Sequence, residues 1–418
     1  MLNLGNRFNI CAFLDNHQYQ LPGHEQECLA GCGMVQEVHC ALSTLSGQDM
    51  PRGKSSLEQL QDFLDNTDDW CFGHLSYDLK NETEQLTSKH ADKIGFPVLY
   101  FFVPQYVLQL NERELRIGSF ADDHAHVFEQ ICAVELEEAP LTKIAIKERM
   151  SREQYISTIK KVQQHILRGD CYELNCCMEF YADDARIEPV AVYQMLTHIS
   201  PNPFSAFYKV NNSYLLCASP ERFLRKKGTE LVSQPIKGTL KRDVQNETED
   251  EVLKQQLYNS EKDRSENVMV VDLVRNDLSR VCKEGTVKVD ELFGIYSFPQ
   301  VHQMISTVSG EVKDAITFAE IIQSTFPMGS MTGAPKRKVM QLIDAYELTA
   351  RGLFSGAVGY ISPEKDFDFN VVIRSILYNA HTSYLSYFAG SGITWYSDAE
   401  KEYDECLLKA GAIRKVLE

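Results

Sequence analysis

A lysine between apolar residues and a glycine is the first candidate for chemistry, in the run Pro235-Ile236-Lys237-Gly238-Thr239. Burial lowers the pKa of a lysine side chain, and a neutral amine can act as a nucleophile. Glu221 precedes Lys237 by sixteen residues across a predicted hairpin. Its carboxyl group could act as a general acid or only pair with the lysine. By itself, the run is more typical of a surface lysine at the end of a strand.

Two pairs of acidic residues form the second candidate, Asp263 with Glu266 and Glu402 with Glu405. Spacing of three residues places both acids of a pair on one face of a helix. Each pair alone is typical of a solvated helix face, since acids are common in first turns. If the two faces converge, the four carboxylates form a hard-oxygen site suited to Mg²⁺. Because like charges repel, such convergence would itself indicate a bound cation.

Arg374 lies within the apolar run 371–376, which predicts a strand with the guanidinium at its middle. The guanidinium then needs an oxyanion, either a bound carboxylate or an internal acid, and the sequence leaves both open. Two glycine-rich runs, 329–335 and 390–392, could present backbone N–H groups to an anion, although most such runs are plain turns. His302 by itself is more typical of a core or surface histidine.

The composition excludes several classes of protein. The 418 residues predict two or three domains, and a net charge of −17 argues against nucleic acid or an anionic membrane as partner. No stretch approaches a membrane span, and we expect no secretory signal. The twelve cysteines therefore predict a reducing cytoplasm. Cys28, Cys32, His39 and Cys40 lack the paired spacing of a zinc site, so zinc is disfavoured.

Hydrophobic periodicity predicts an α+β fold built on antiparallel sheets. Capping-box spacing predicts helices beginning at Ser151 with Gln154 and at Ser397 with Glu400. Strands are predicted at residues 171–180, 213–219, 222–226, 230–236, 357–361, 369–377 and 384–389. Further helices are predicted at 190–198, 247–259, from 260, 318–325 and 335–346. The chain is divided into an N-terminal part at 1–135, a polar linker at 136–150 and a catalytic core at 151–418.

Motifs in a fixed order resemble those of the chorismate-utilising enzymes, from Met150 to the C-terminus. These motifs are Ala218-Ser219-Pro220-Glu221, the lysine run, Glu266 before Asp272-Leu273-Val274-Arg275-Asn276-Asp277-Leu278, His302, Thr332-Gly333-Ala334-Pro335-Lys336, Gly359-Tyr360, Arg374, Gly390-Ser391-Gly392 and Asp404-Glu405. The resemblance implies large antiparallel sheets packed as a sandwich, with helices outside.

The resemblance also implies roles for individual residues. Glu266 and Glu405 would ligate Mg²⁺, with Asp263 and Glu402 nearby or acting through water. The positions implied for the ring carboxylate are Gly238, Thr239, Gly390, Ser391, Gly392 and Lys409. Those implied for the enolpyruvyl carboxylate are Tyr360 and Arg374, and His302 and Thr332 are expected to line the substrate site.

Lys237 distinguishes the branches of the family. Anthranilate synthases carry alanine there, whereas aminodeoxychorismate synthases, which this chain resembles most, carry lysine. In that branch the lysine attacks C2 of chorismate while Glu221 protonates the departing 4-hydroxyl. Ammonia, from a glutamine amidotransferase subunit or from solution, then adds at C4. The implied product is 4-amino-4-deoxychorismate, on the route to p-aminobenzoate and folate.

Two alternative functions stay open at this point, one catalytic and one not. The chain could be the first component of an anthranilate synthase, or a catalytically silent subunit that binds chorismate. Isochorismate and salicylate synthases need a lysine to activate water, and alignment on Gly169-Asp170 puts Glu173 there, which disfavours them. Glu173 also replaces the glutamine usual in amine-forming members. Residues 13–16 and 203–205 only loosely match a tryptophan site, so we expect no tryptophan regulation.

Overall fold

Two large antiparallel sheets form the framework of this computed structural model, which describes residues 1–19, 27–41, 54–133, 143–298 and 301–418. Residues 136–142 of the predicted linker lie outside the described residues. The strands are β1 Ile10–Asp15, β2 Cys28–Cys32, β3 Gln36–Cys40, β4 Cys71–Leu75, β5 Leu99–Val103, β6 Tyr106–Leu110, β7 Leu115–Ser119, β8 Lys147–Glu148, β9 Glu173–Ala182, β10 Phe204–Val210, β11 Ser213–Ser219, β12 Arg222–Lys227, β13 Glu230–Gln234, β14 Ile236–Lys241, β15 Lys288–Ser297, β16 Val301–Glu311, β17 Gly333–Ala334, β18 Ala357–Ile361, β19 Phe367–Asn370, β20 Ser375–Asn379 and β21 Tyr384–Ile393.

The helices cover the outer faces of the sheets. They are α1 Leu2–Asn6, α2 Ser56–Asp65, α3 Lys80–Thr83, α4 His124–Cys132, α5 Arg152–Leu167, α6 Pro189–Ile199, α7 Glu247–Tyr258, α8 Glu261–Val281, α9 Phe318–Thr325, α10 Lys336–Tyr346 and α11 Ala399–Leu417. Among these described helices, none combines the length and the apolar character needed to cross a membrane.

In both sheets, strands from the N-terminal part of the chain lie beside strands from later in the chain. In the described residues the first sheet has the order β17-β9-β21-β20-β11-β10-β1-β2-β6-β7, with β8 beside β9. The second has the order β14-β16-β13-β12-β19-β18-β4-β5-β3, with β15 beside β16. The N-terminal strands thus extend the same sheets that the later strands form, while the proposed division at residue 135 stays a prediction.

Contacts between the sheets confirm the predicted sandwich. Ala12 and Ala206 of the first sheet share one buried core with Phe72 and Phe101 of the second. His74 and Tyr208 meet across the interface at 2.9 Å. A second core lies between the first sheet and α5, α6 and α11. Burying apolar area on both faces of the first sheet is the main stabilising contribution to such a layered fold.

Two local predictions about helix starts had different outcomes. Ser151 and Gln154 form the predicted capping box at the start of α5. The predicted cap at Ser397 is wrong: Asp398 caps α11 and accepts hydrogen bonds from the N–H groups of Glu400 and Lys401. Ser397 Oγ instead accepts a hydrogen bond from the N–H of Thr394, in the turn before the helix.

The strand predicted at 369–377 is also wrong. It is two strands, β19 in the second sheet and β20 in the first, and the chain crosses between the sheets at Val371 and Val372. Both valines are fully buried in the shared core, so the apolar run marks a crossing rather than one strand. Arg374 follows this crossing with φ of +50°, outside either strand.

Candidate active site

Lys237 lies at an irregularity of β14, where the pairing with β16 shifts between Ile236 and Thr239. Gly238 has φ of +91°, a conformation that favours glycine, and it turns the strand directly after the lysine. The Lys237 side chain is only 10% exposed, so it is not the surface lysine that the run alone would suggest. Its Nζ donates a hydrogen bond to Oε1 of Glu173 at 2.7 Å.

Three strands from different parts of the chain meet at this bond. Glu173 is the first residue of β9, and Gly392 of β21 pairs with Asn175, two residues further along β9. A β-carbon added at Gly392 would lie 2.8 Å from Oε1 of Glu173 and 2.9 Å from Nζ of Lys237. Any side chain at position 392 would therefore displace the pair. In the sequence, Glu173 argues against water activation and replaces the glutamine usual in amine-forming members, but its spacing gives no signal of contact with Lys237.

The glycine-rich loop 329–335 borders the same strand. Ala334 pairs with Glu173 through β17, and the carbonyl of Thr332 accepts a hydrogen bond from the N–H of Asn175 at 2.8 Å. The hydroxyl of Thr332 donates to the carbonyl of Met328 at 3.0 Å, so it stabilises the turn itself.

Neighbouring acids determine the charge of Lys237. Burial alone would lower its pKa, but Glu173 and Glu266 outweigh this effect and hold the pKa above its ordinary value. Burial raises the pKa of Glu266 to about 7, although Lys237 counteracts that increase. Without a ligand, the amine of Lys237 is therefore an ammonium ion.

The two acidic helix faces converge, and a second lysine lies between them. Nζ of Lys262 is 3.1 Å from Glu402 Oε1, 3.5 Å from Glu405 Oε2 and 3.9 Å from Glu266 Oε1. Burial opposes a charge on Lys262, but these three carboxylates raise its pKa. Asp263 lies beside Gly238, since a β-carbon on that glycine would be 3.0 Å from its Cβ.

The carboxylate cluster is incompletely hydrogen-bonded. Among the described residues, Oε1 of Glu266 and Oε2 of Glu402 are buried without a hydrogen-bond partner. These are hard oxygen donors of the type that Mg²⁺ accepts. Over the described residues, no three His, Cys, Asp or Glu side chains are grouped so that they could hold a metal ion. The ammonium group of Lys262 lies among the carboxylates of Glu266, Glu402 and Glu405 instead.

Lys409 connects the cluster to the Gly390–Gly392 segment of β21. Its Nζ is 2.8 Å from Glu405 Oε1 and donates a hydrogen bond to the carbonyl of Gly390 at 3.1 Å. The lysine outweighs the effect of burial and keeps the pKa of Glu405 below its ordinary value. Ser391 is buried, and its hydroxyl has no hydrogen-bond partner among the described residues.

Glu221 has both Lys237 and Arg374 among its neighbouring charges. Glu221 lies between β11 and β12 and is buried, and burial raises its pKa to about 7 despite the nearby Ser330, Lys237 and Arg374. Burial lowers the pKa of Arg374, and Glu221 partly restores it. A carboxyl group with a pKa near 7 is able to donate a proton at neutral pH.

Two residues predicted to contact the substrate, His302 and Tyr360, contact other side chains of the protein. Nε2 of His302 is 3.0 Å from Asp250 of α7, and its Nδ1 is 2.9 Å from the hydroxyl of Ser297. Tyr360 lies on β18 with its ring centroid 5.5 Å from that of Trp70. Both ring nitrogens of His302 are thus occupied by the protein, and its contact with a substrate stays a prediction.

Comparison with known proteins identifies the family. The family model for chorismate binding enzymes matches residues 20–415. The chain belongs to the chorismate binding enzyme family. It is similar to aminodeoxychorismate synthase component 1 of Bacillus subtilis, at 33% identity over 364 residues, covering 83% of this chain and 77% of that protein. It is also similar to the chloroplastic aminodeoxychorismate synthase of Arabidopsis thaliana, at 36% identity over 380 residues.

The coverage of these relatives differs. The match spans 84% of this chain but only 41% of the Arabidopsis protein. Among solved structures, anthranilate synthase component I from Streptococcus pneumoniae TIGR4 has a TM-score of 0.82 at 23% identity, with 96% of this chain and 95% of that chain covered. The menaquinone-specific isochorismate synthase of Escherichia coli has a TM-score of 0.77 at 17% identity, with 100% and 91% covered. At these identities the structures establish the fold alone.

Proposed function

We propose that this chorismate binding enzyme replaces the 4-hydroxyl of chorismate with ammonia, giving 4-amino-4-deoxychorismate for p-aminobenzoate and folate synthesis. The observation that carries the proposal is the buried Lys237, hydrogen-bonded in a site that also holds Glu221 and two convergent acidic helix faces. A buried amine at this position supplies a covalent nucleophile. The names of the relatives with 33–36% identity support the same reaction.

In this proposal Mg²⁺ is held by carboxylates of α8 and α11. Glu266 and Glu405 are the proposed direct ligands, with Asp263 and Glu402 close by. The unpartnered buried oxygens of Glu266 and Glu402 fit a hard cation, provided that Lys262 withdraws from between them. When bound, the ion would supply positive charge to a carboxylate of the substrate.

The remaining substrate contacts are proposed by position around Lys237. Gly238, Thr239 and the Gly390–Gly392 segment, with Lys409, would bind the ring carboxylate through backbone N–H groups and one ammonium. Arg374, which emerges from the crossing between the sheets, and Tyr360 would bind the enolpyruvyl carboxylate. An overall charge of −17 repels a dianion, so binding depends on such placed cations.

Glu221 is the proposed general acid. Its carboxyl group, with a pKa of about 7, would protonate the 4-hydroxyl as the C4–O bond breaks. Ammonia would then add at C4, supplied by a glutamine amidotransferase subunit, and the reaction would take place in the cytoplasm. The twelve free cysteines agree with a reducing setting.

One assay tests the proposed function. Pure protein is incubated with chorismate, Mg²⁺ and ammonium, and the product is identified by mass and absorbance. We expect 4-amino-4-deoxychorismate without release of pyruvate. Anthranilate with pyruvate would contradict the proposal in favour of an anthranilate synthase. Chorismate binding without turnover would contradict it in favour of a silent subunit.

A further inference from the structure

A buried carboxylate contacts the candidate nucleophile without a role in the reaction as proposed so far. Glu173 is 3% exposed, and its Oε1 accepts the 2.7 Å hydrogen bond from Nζ of Lys237. Its second oxygen, Oε2, is buried and has no hydrogen-bond partner within the described residues. One oxygen of Glu173 therefore contacts the reacting amine while the other is free to carry a proton.

The backbone of β21 crowds one side of this pair. Gly392 of β21 lies against both side chains, at a distance that excludes even a β-carbon. Glu173 itself is anchored at the start of β9, between β21 and β17. The 2.7 Å hydrogen bond and the pairing of β9 thus hold the acceptor beside the donor before any substrate binds.

We propose that Glu173 is the proton acceptor that converts the Lys237 ammonium into a nucleophilic amine. This inference rests on the proposed amination of chorismate. An ammonium ion has no lone pair, so Lys237 must lose a proton before it can attack. Glu173 is already hydrogen-bonded to that ammonium, which is the geometry a general base requires.

The proton balance closes over one turnover. The Lys237 ammonium gives a proton to Glu173, and the amine lone pair forms a bond to C2 as the two ring double bonds shift and the C4–O bond breaks. The hydroxyl leaves as water with the proton of Glu221. Ammonia then bonds to C4, the C2–N bond breaks and its electron pair returns to Lys237. Lys237 recovers its proton from Glu173, and the product ammonium returns one to Glu221.

Other charged groups also face Lys237 and influence its protonation. They are Glu173 and Cys177 of β9, Glu221 before β12, Glu266 of α8 and Glu405 of α11. Because the acids raise the pKa of Lys237, proton loss to solvent at neutral pH is unfavourable. An acceptor inside the site makes the step independent of solvent.

The test measures adduct formation without ammonia, from about pH 5 to about pH 6, below the pKa of about 7 that burial gives the general acid Glu221. Wild-type protein, Glu173→Gln and Glu173→Asp are mixed with chorismate and Mg²⁺. The rate is followed by intact mass, as the gain of one chorismate less one water. Lys237→Ala supplies the background, and circular dichroism checks that each variant is folded.

We expect the wild-type rate to be flat with pH, because the proton stays within the pair. Glu173→Gln must lose its lysine proton to solvent, so its rate should fall by about tenfold for each pH unit lowered. Glu173→Asp, which keeps a carboxylate, should restore the flat profile at a lower rate. These results would support the inference.

If the rate of adduct formation changed with pH in the same way in wild type and Glu173→Gln, the inference would be overturned. Glu173 would then have a structural role. The inference would also be overturned if the wild-type protein formed no adduct with chorismate but still made 4-amino-4-deoxychorismate from ammonium. That result would leave the proposed function intact. A wild type that makes no such product from ammonium would instead show that the proposed function has failed.

Discussion

Two buried ion pairs beside the strand β9 contrast in how completely they are hydrogen-bonded. Arg351 donates two hydrogen bonds to Glu347 and three more, to Met331, Ser355 and Asn175. Glu347 also accepts the N–H of Cys177.

Glu173, the partner of Lys237, lies two residues before Asn175 on β9, yet its Oε2 has no hydrogen-bond partner in the described chain. Removing a charge from water is costly unless its hydrogen bonds are made. The saturated Glu347–Arg351 pair therefore stabilises the fold. The unsaturated Glu173–Lys237 pair keeps bonding capacity for a ligand or a proton, which is what a reactive site requires.

The strongest test of this contrast is Lys237→Ala. We expect formation of 4-amino-4-deoxychorismate to fall by about 10³-fold or more, because the covalent nucleophile is lost. The product is measured by mass with ammonium as the nitrogen source. Lys241→Ala, at an exposed lysine of the same strand, is the control and should keep wild-type activity. Equal activity in the two variants would remove the nucleophilic role.

Breaking the Glu347–Arg351 pair should affect the stability of the fold. Arg351→Met leaves Glu347 buried without its cation, and we expect the free energy of unfolding to fall by about 3–5 kcal/mol. Urea denaturation followed by circular dichroism measures this loss. A change under about 1 kcal/mol would mean that the saturated pair contributes little to stability.

Glu221→Gln should lower the rate by about 10²-fold, since a general acid is removed. The wild-type rate should fall as pH rises above about 7, because Glu221, whose burial raises its pKa to about 7, is then deprotonated. This descending limb should be missing in Glu221→Gln. Steady-state rates measured from acid to alkaline pH test both points, and an unchanged limb in the variant would assign it to another group.

The smallest expected effect concerns Lys262 and the proposed metal. Lys262→Met removes the ammonium between the carboxylates, so Mg²⁺ should bind about tenfold more tightly. Glu405→Gln removes one anionic ligand and should weaken binding by a similar factor. Isothermal titration calorimetry with Mg²⁺ alone measures both changes. Lys254→Met, on the surface of α7, is the control, and a matching shift there would point to overall charge instead.

Local structure was predictable where short-range patterns determine it. The capping box of Ser151 and Gln154 and the helical period after it require only neighbouring residues, and both occur as predicted. Long-range packing is not contained in such patterns. The run around Val371 has the composition of one strand, yet the chain crosses between two sheets there because both valines fill the shared core.

The sequence alone determined the antiparallel α+β class and, through its ordered motifs, the family. It also singled out Lys237 and the two acid pairs, because residue type and helical spacing are local properties. Only the tertiary structure brought Glu173 into hydrogen-bond contact with Lys237 and inserted Lys262 between the acidic helices. Those contacts join residues 64 and 140 positions apart along the chain. Burial and the pairing of strands from distant segments decide such contacts, so no local spacing encodes them.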